Sequence, residues 1–274
     1  MAQNTWLRRA MLVTGAVAVS GWAAYRAAER ALRPAQPQLA LARGHRLLYR
    51  SHRVLVAVGR WEDMELLIGG TLRMLARIGS EITIAGPGPV PVNPTWRELA
   101  VPHPLLPEAI PTENAYSPPV QKALKRLWAN LEPDVVLTFD PVFPVRVLYH
   151  PAHGLVGHAA LDLALADQVP PADVFTFATR RPNVLVDIGP VVNAKTTAAA
   201  RAAAEAALGV RGRVAARVAA RAAGFLGRLY GRAAGVNYAE GLRAVTPSGA
   251  GASQDTRAQA AFDGAGRVRE TYQV

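Results

Sequence analysis

The chain contains no cysteine among its 274 residues. Disulfide bonds and cysteine-ligated metal sites are therefore excluded, although this absence does not decide the compartment. Acidic residues are few, with 20 Asp and Glu against 31 Lys and Arg, which gives a net charge of +11. That charge permits contact with nucleic acid or an anionic membrane surface. Because no helix-turn-helix, zinc-finger or RNA-recognition signature is present, we expect no nucleic-acid partner.

The length fits one large domain with appendages. At the N-terminus, Arg8 and Arg9 precede an uncharged run from Ala10 to Tyr25. This pattern predicts a transmembrane or anchor helix over residues 1–30, with the membrane as partner, although a cleaved signal peptide and a soluble amphipathic helix are alternatives. Arginines beyond the run favour a single-pass protein with a cytoplasmic domain. We further predict a linker over residues 31–52, a folded domain over 53–245 and a disordered tail over 246–274.

The folded domain opens with an apolar, β-branched run from Val54 to Val58, typical of a strand buried on both faces. A polar turn and an apolar-periodic helix follow it. This order predicts a doubly wound α/β domain, in which ligands bind outside the carboxyl ends of the strands. Glu62 and Asp63 fall there, where two carboxylates can serve as metal ligand and general base. Alternatively, they simply begin the helix, where acidic side chains suit the helix dipole.

Further strands and helices alternate along the chain. We therefore predict an α/β, Rossmann-like, mostly parallel sheet with helices on both faces. A proline-rich stretch, residues 86–119, is interpreted as a lid or rim over the strand ends. The predicted strands are residues 81–85, 135–139, 174–178 and 184–188, and the predicted helices are residues 72–78, 118–131, 155–165 and a helix or helix pair over 194–234.

Polar residues also follow the strand at 135–139. Asp140 lies at its carboxyl end, which makes it either a pocket residue or a turn cap. His150 and His153 precede the next helix and are three residues apart, so they can face one another across one turn. His158 should face elsewhere, because it lies about 140° further round an ideal helix.

Five segments of the chain carry recognisable motifs. They are the residues from Arg60 to Glu65, Gly69-Gly70-Thr71-Leu72, the run from Pro133 to Thr138, His150-Pro151-Ala152-His153, and the run from Pro182 to Ile188 with Lys195 beyond it. These segments resemble the PIG-L/LmbE-like family of zinc-dependent N-acetylglucosaminyl deacetylases. The match covers about residues 53–205 in the order that the family has.

The resemblance implies a zinc-dependent hydrolase acting on N-acetyl groups of amino sugars or sugar-lipids. Carried over by position, Asp63 and His153 are metal ligands, Glu62 is the general base and His150 polarises the amide. Arg97 stands in the short remnant of a helix that shapes the pocket in the family. We assign Arg97, Arg60 and Asp140 to substrate binding.

Two positions depart from the family pattern. Arg60 replaces a metal-binding histidine, and Ala152 replaces the aspartate between the two histidines. An arginine stays protonated and offers no lone pair to a cation, so zinc binding should be weak or absent. We infer that Arg60 substitutes for the cation by pairing with Asp63 or Glu62. The alternative function is therefore an inactive homologue that binds a sugar or anionic ligand.

The C-terminal helical region is rich in alanine and arginine. Arg213, Arg217 and Arg221 share one face, and Val214 and Val218 share the adjacent one. This basic, amphipathic pattern indicates either a surface helix with solvated arginines or a helix lying on anionic lipid.

Overall fold

The computed structural model describes residue 30 and residues 33–59, 61–87, 105–106, 118–141, 151–166, 168–180, 182–206 and 209–246. These residues form a seven-stranded sheet flanked by helices. The strands are β1 (Arg53–Ala57), β2 (Glu81–Pro87), β3 (Leu105–Leu106), β4 (Val135–Phe139), β5 (Asp173–Phe177), β6 (Val184–Asp187) and β7 (Ala239–Thr246). The helices are α1 (Pro37–Leu47), α2 (Trp61–Leu67), α3 (Gly69–Arg77), α4 (Pro118–Leu131), α5 (Pro151–Leu165), α6 (Val192–Ala206) and α7 (Gly209–Ala234), with a 3₁₀ turn at Gly189–Val191.

The strand order is β3-β2-β1-β4-β5-β7-β6. Neighbouring strands from β3 to β5 are parallel, whereas β7 runs antiparallel to both β5 and β6. The predicted mostly parallel sheet is therefore confirmed. The sequence did not predict β7, because Glu240 and Gly241 interrupt the apolar pattern by which a buried strand is recognised.

Alternate residues of each strand enter different cores, because successive side chains of a strand point to opposite faces. In β1, Val54 and Val56 pack with Met64 of α2 and other residues of one core. Leu55 belongs to a second core that includes Trp128 of α4 and residues of α5. Helices therefore cover both faces, as the sequence predicts for strands that are apolar throughout.

The structure corrects the linker prediction over Pro37–Leu47, which form α1. Ala40 and Leu41 are buried in a third cluster with residues of β6 and α7. A methyl group at Gly44 would lie 1.8 Å from the carbonyl oxygen of Leu185, so the helix backbone lies directly against β6. Pro34 and Pro37 favour a linker in the sequence, but Pro37 is compatible with a helix because proline is tolerated in the first turn.

Among the described residues, no helix is both long and apolar enough to cross a bilayer. The predicted anchor lies outside the described residues apart from residue 30, as does the predicted tail apart from residue 246. Most of the predicted lid, residues 86–119, also lies outside them. These three assignments stay predictions.

Candidate functional site

The candidate site lies where the strand order reverses. β1 pairs with β2 on one side and β4 on the other, and both pairings are parallel. The connections that leave β1 and β4 therefore diverge, and doubly wound sheets bind ligands in the crevice outside the carboxyl ends of such strands. The hydroxyl of Thr138 donates to the carbonyl oxygen of Ala57 at 3.2 Å and ties the two strand ends together.

The segment after β1 carries the first group of predicted site residues. Glu62 and Asp63 lie in the first turn of α2, which begins at Trp61, and only their backbone is described. Their position matches both interpretations of the sequence, a helix start and the edge of a ligand crevice. Arg60 lies outside the described residues, as do His150 and Arg97. Their assigned roles stay predictions.

Asp140 follows β4 directly and is buried, with 7% of its surface exposed. Its backbone N–H donates to the carbonyl oxygen of Phe177 at the end of β5, at 2.9 Å. This bond extends the pairing of β4 and β5 by one residue and fixes the backbone of Asp140 at the crevice. The predicted location at the strand end is confirmed, whereas its role in substrate binding stays a prediction.

His153 occupies the first turn of α5 and is almost fully buried. Its imidazole stacks on the ring of Phe139, the last residue of β4. The close approach of α5 to this strand depends on Gly157, because a methyl group there would lie 2.4 Å from the carbonyl oxygen of Phe139. The sequence predicted His153 as a site residue, but it did not predict that Phe139 and Gly157 position it. A glycine one turn after a predicted site residue signals close backbone packing.

His158 lies further along α5 and is half-buried. Burial lowers the pKa of His158, and the carboxylates of Asp162 and Asp140 partly oppose this effect. Thus His158 shares an electrostatic environment with the predicted pocket residue Asp140. The angle between His158 and His153 on an ideal helix predicted only that the two side chains face apart. The interaction of His158 with Asp140 was not predicted.

A buried ion pair supports the helix that carries Glu62 and Asp63. Glu65 and Arg73 pair through two hydrogen bonds of 2.7 Å and 3.1 Å. The guanidinium of Arg73 also donates to the carbonyl oxygen of Gly69 at 2.7 Å, so it joins α2 to α3. Burial raises the pKa of Glu65, although the hydrogen bond and charge of Arg73 oppose this.

A second buried ion pair lies beside it. Lys195 of α6 approaches Glu240 of β7 to 2.5 Å, and both side chains are almost fully buried. The carboxylate of Glu240 also accepts the backbone N–H groups of Gly70 and Thr71 at 2.9 Å and 2.6 Å, near the N-terminus of α3. The sequence singled out Lys195 and the glycine pair only as family motif positions. Their long separation from Glu240 in the chain hid this contact.

The residues offered for zinc do not fit a catalytic site of three protein ligands and one open position. By position, Asp63 and His153 are the two donors, and Arg60 stands where the third donor is needed. In the described part of the chain, no three His, Asp or Glu residues are grouped so that they could hold a metal ion. Because the Arg60 guanidinium has no lone pair for a cation, only two donors remain, and the reaction proposed below uses no zinc.

No family model matches the chain, and no curated protein matches it in sequence. Solved structures do match its fold. One is the N,N'-diacetylchitobiose deacetylase from Pyrococcus horikoshii, with a TM-score of 0.55 and 21% identity, where the match covers 70% of this chain and 83% of that one. Another is the conserved protein TT1542 from Thermus thermophilus, with a TM-score of 0.56 and 20% identity over 72% of this chain and 95% of that one.

A third structural match has a different activity. GalB from Pseudomonas putida, a 4-carboxy-2-hydroxymuconate hydratase, matches with a TM-score of 0.52 and 19% identity over 71% of this chain and 97% of that one. At such identities the comparison establishes the fold and not the reaction. The chain has the fold of the PIG-L/LmbE-like deacetylases, as its motifs predict.

Proposed function

We propose that the crevice between β1 and β4 binds an N-acetyl amino sugar, free or lipid-linked, and hydrolyses its amide. The observation that carries the proposal is that three polar segments lie at the carboxyl ends of the adjacent strands β1 and β4. Asp140 follows β4 directly, and His153 of α5 stacks on the last residue of that strand. The backbone of Glu62 and Asp63 begins the helix after β1. The fold match to a protein described as a diacetylchitobiose deacetylase supports the same substrate class.

In the proposed reaction, water attacks the carbonyl carbon of the acetamide group. Glu62 takes a proton from the attacking water and delivers it to the departing nitrogen, so the C–N bond breaks to give acetate and the free amine. His150 donates a hydrogen bond to the oxygen that becomes negative in the tetrahedral intermediate. Asp140 and Arg97 orient the sugar through its hydroxyl groups.

Arg60 gives the proposed site a fixed positive charge beside two carboxylates. Paired with Asp63, its guanidinium would balance the local charge as a metal would. It would not supply an open coordination position or lower the pKa of a bound water. The proposed enzyme should consequently contain less than one zinc per chain.

A second candidate function follows from this same substitution. A catalytically inactive homologue would use Arg60 and the histidines to hold a sugar or an anionic ligand without turnover. The specific observation that favours it is the arginine at a ligand position. In this case the pocket is kept and the chemistry is lost.

Three measurements distinguish the two functions. They are acetate release from N-acetylglucosamine, diacetylchitobiose and an N-acetylglucosaminyl lipid, the zinc content of the protein, and sugar binding by calorimetry. The matched control is Glu62→Gln, which keeps the size of the side chain and removes the base. For an enzyme, we expect acetate release that this variant lowers by at least about 100-fold. For the inactive homologue, sugar binding occurs without acetate release, is unchanged in Glu62→Gln, and Arg60→His raises the zinc content.

A further inference from the structure

One face of α7 exposes large apolar side chains. Val214, Val218 and Phe225 expose 56%, 61% and 45% of their surface. These residues are four and seven positions apart, so on a helix with 3.6 residues per turn they lie within about 40° of one another. An exposed apolar row on a basic helix is a candidate interaction surface.

Arginines border the same row. Arg213, Arg217 and Arg221 are exposed and lie on one side of Val214, at successive steps of about 40° round the helix axis. Two more exposed arginines, Arg228 and Arg232, continue the charge towards the C-terminus of α7. The helix contains no Asp or Glu, so none of this charge is neutralised within α7 itself.

The far side of α7 and its C-terminal end hold the helix in the fold. Leu229, Tyr230 and Ala234 are buried in the cluster shared with α1 and β6. Ala223 is fully buried as well. The exposed row therefore contributes little to folding. Transfer of its apolar surface out of water would lower the free energy.

We propose that this basic–apolar face, consisting of Arg213, Val214, Arg217, Val218, Arg221 and Phe225, binds the surface of an anionic lipid bilayer. The valines and the phenylalanine enter the boundary between headgroups and acyl chains, and the arginines contact lipid phosphates. This inference does not depend on the proposed enzymatic function, nor on the predicted anchor at residues 1–30.

Other occupants fit the face less well. A second copy of the chain would bring like-charged arginine rows together, which costs free energy. A nucleic acid would pair with the arginines but offer no apolar surface to Val214 and Val218. An anionic bilayer satisfies both parts of the face.

The lack of native cysteine allows a direct test on the full chain. Val218→Cys introduces a unique thiol that can carry an environment-sensitive fluorophore, and Asn130→Cys on the exposed end of α4 provides the control site. With vesicles of phosphatidylcholine and phosphatidylglycerol, we expect the emission at position 218 to shift to shorter wavelength, and the emission at position 130 to stay unchanged. Pure phosphatidylcholine vesicles should give no shift at 218, even if an N-terminal anchor tethers the chain to them.

Charge variants complete the test. Replacing Arg213, Arg217 and Arg221 with glutamine should raise the lipid concentration needed for half of the emission shift about 100-fold. Each arginine near an anionic surface contributes about fivefold to binding. The matched control removes three exposed cations from other helices, Arg77, Lys122 and Arg126, and should change the shift much less. High salt should also weaken the shift.

Four results would overturn the proposal. The first is no emission shift at position 218 with anionic vesicles, and the second is an equal loss of the shift in the two triple variants. The third is a shift that appears only when RNA is added. The fourth is emission that is already at the shorter wavelength in the absence of vesicles. In the last case, dependence on protein concentration would indicate a second copy, and independence would indicate a covering segment of the same chain.

Discussion

The imidazole of His153 lies against the phenyl ring of Phe139, with ring centroids 4.0 Å apart and ring planes inclined by 12°. Phe139 ends β4 and His153 belongs to the first turn of α5, so this contact fixes the start of a helix to the end of a strand. Phe139 also packs on Phe177 of β5, with centroids 4.4 Å apart. The orientation of the histidine therefore depends on the aromatic packing beneath it.

Replacing this aromatic surface should disturb the site more than the fold. Phe139→Leu removes the stacking partner of His153 and is expected to lower the free energy of unfolding by about 1–2 kcal/mol. Acetate release or sugar binding, measured per folded molecule, should also fall. Phe175→Leu in β5 is the control, because it makes the same change at a half-buried residue. Equal functional effects of the two variants would contradict a role for the stacking contact.

The close packing of α5 on β4 can be tested with glycine substitutions. Gly157→Ala places a methyl group against the carbonyl oxygen of Phe139, so the helix must shift and carry His153 with it. We expect destabilisation of about 1–3 kcal/mol. At Gly224 in α7 the nearest atom to an added methyl is 3.8 Å away, so Gly224→Ala should stabilise the protein by about 0.5–1 kcal/mol. Urea denaturation of both variants measures the contrast, and a neutral Gly157→Ala would be inconsistent with this packing.

The buried pair of Lys195 and Glu240 should behave as a unit. Glu240→Gln leaves the Lys195 ammonium buried without its counter-charge and is expected to cost about 3–5 kcal/mol. Adding Lys195→Met removes the unpaired charge and should recover part of that loss. A double-mutant cycle in urea measures the coupling, and effects that add to within about 0.5 kcal/mol would show that the pair is not coupled.

His158 predicts a specific dependence of stability on pH. Burial lowers its pKa below the ordinary value of 6.5 in the folded protein, so the unfolded chain binds the proton more tightly. The contribution of His158 to stability is therefore complete above pH 6.5 and is lost as the pH falls from 6.5 through the folded pKa. His158→Gln should flatten the profile of unfolding free energy in this window, whereas His45→Gln, at an exposed residue, should not. Identical slopes in the wild type and His158→Gln would contradict the prediction.

The sequence predicted the layered architecture well because its signals are local. Apolar runs such as Val54–Val58 specify strands that are buried on both faces, and helical periodicity specifies the covering layers. From these alone, the location of Asp140 at the carboxyl end of a strand followed correctly. Helix α1 was missed because Pro34 and Pro37 were interpreted as linker residues, although Pro37 begins the helix.

Contacts between distant segments could not be predicted in the same way. Glu240 reaches Gly70 and Thr71 across about two-thirds of the chain, and nothing in the local pattern around β7 indicates this partner. Phe139 was identified as a strand residue, but its stacking with His153 depends on the angle at which α5 returns to the sheet. The sequence thus identified the polar candidates and missed the side chains that position them.

Acetate release from an N-acetylglucosaminyl substrate, measured for the wild type and Glu62→Gln, tests the central claim most directly. The account predicts acetate and free amine in equal amounts from the wild type, and at least about a 100-fold lower rate from the variant. A folded wild type that binds the sugar and releases no acetate would contradict it.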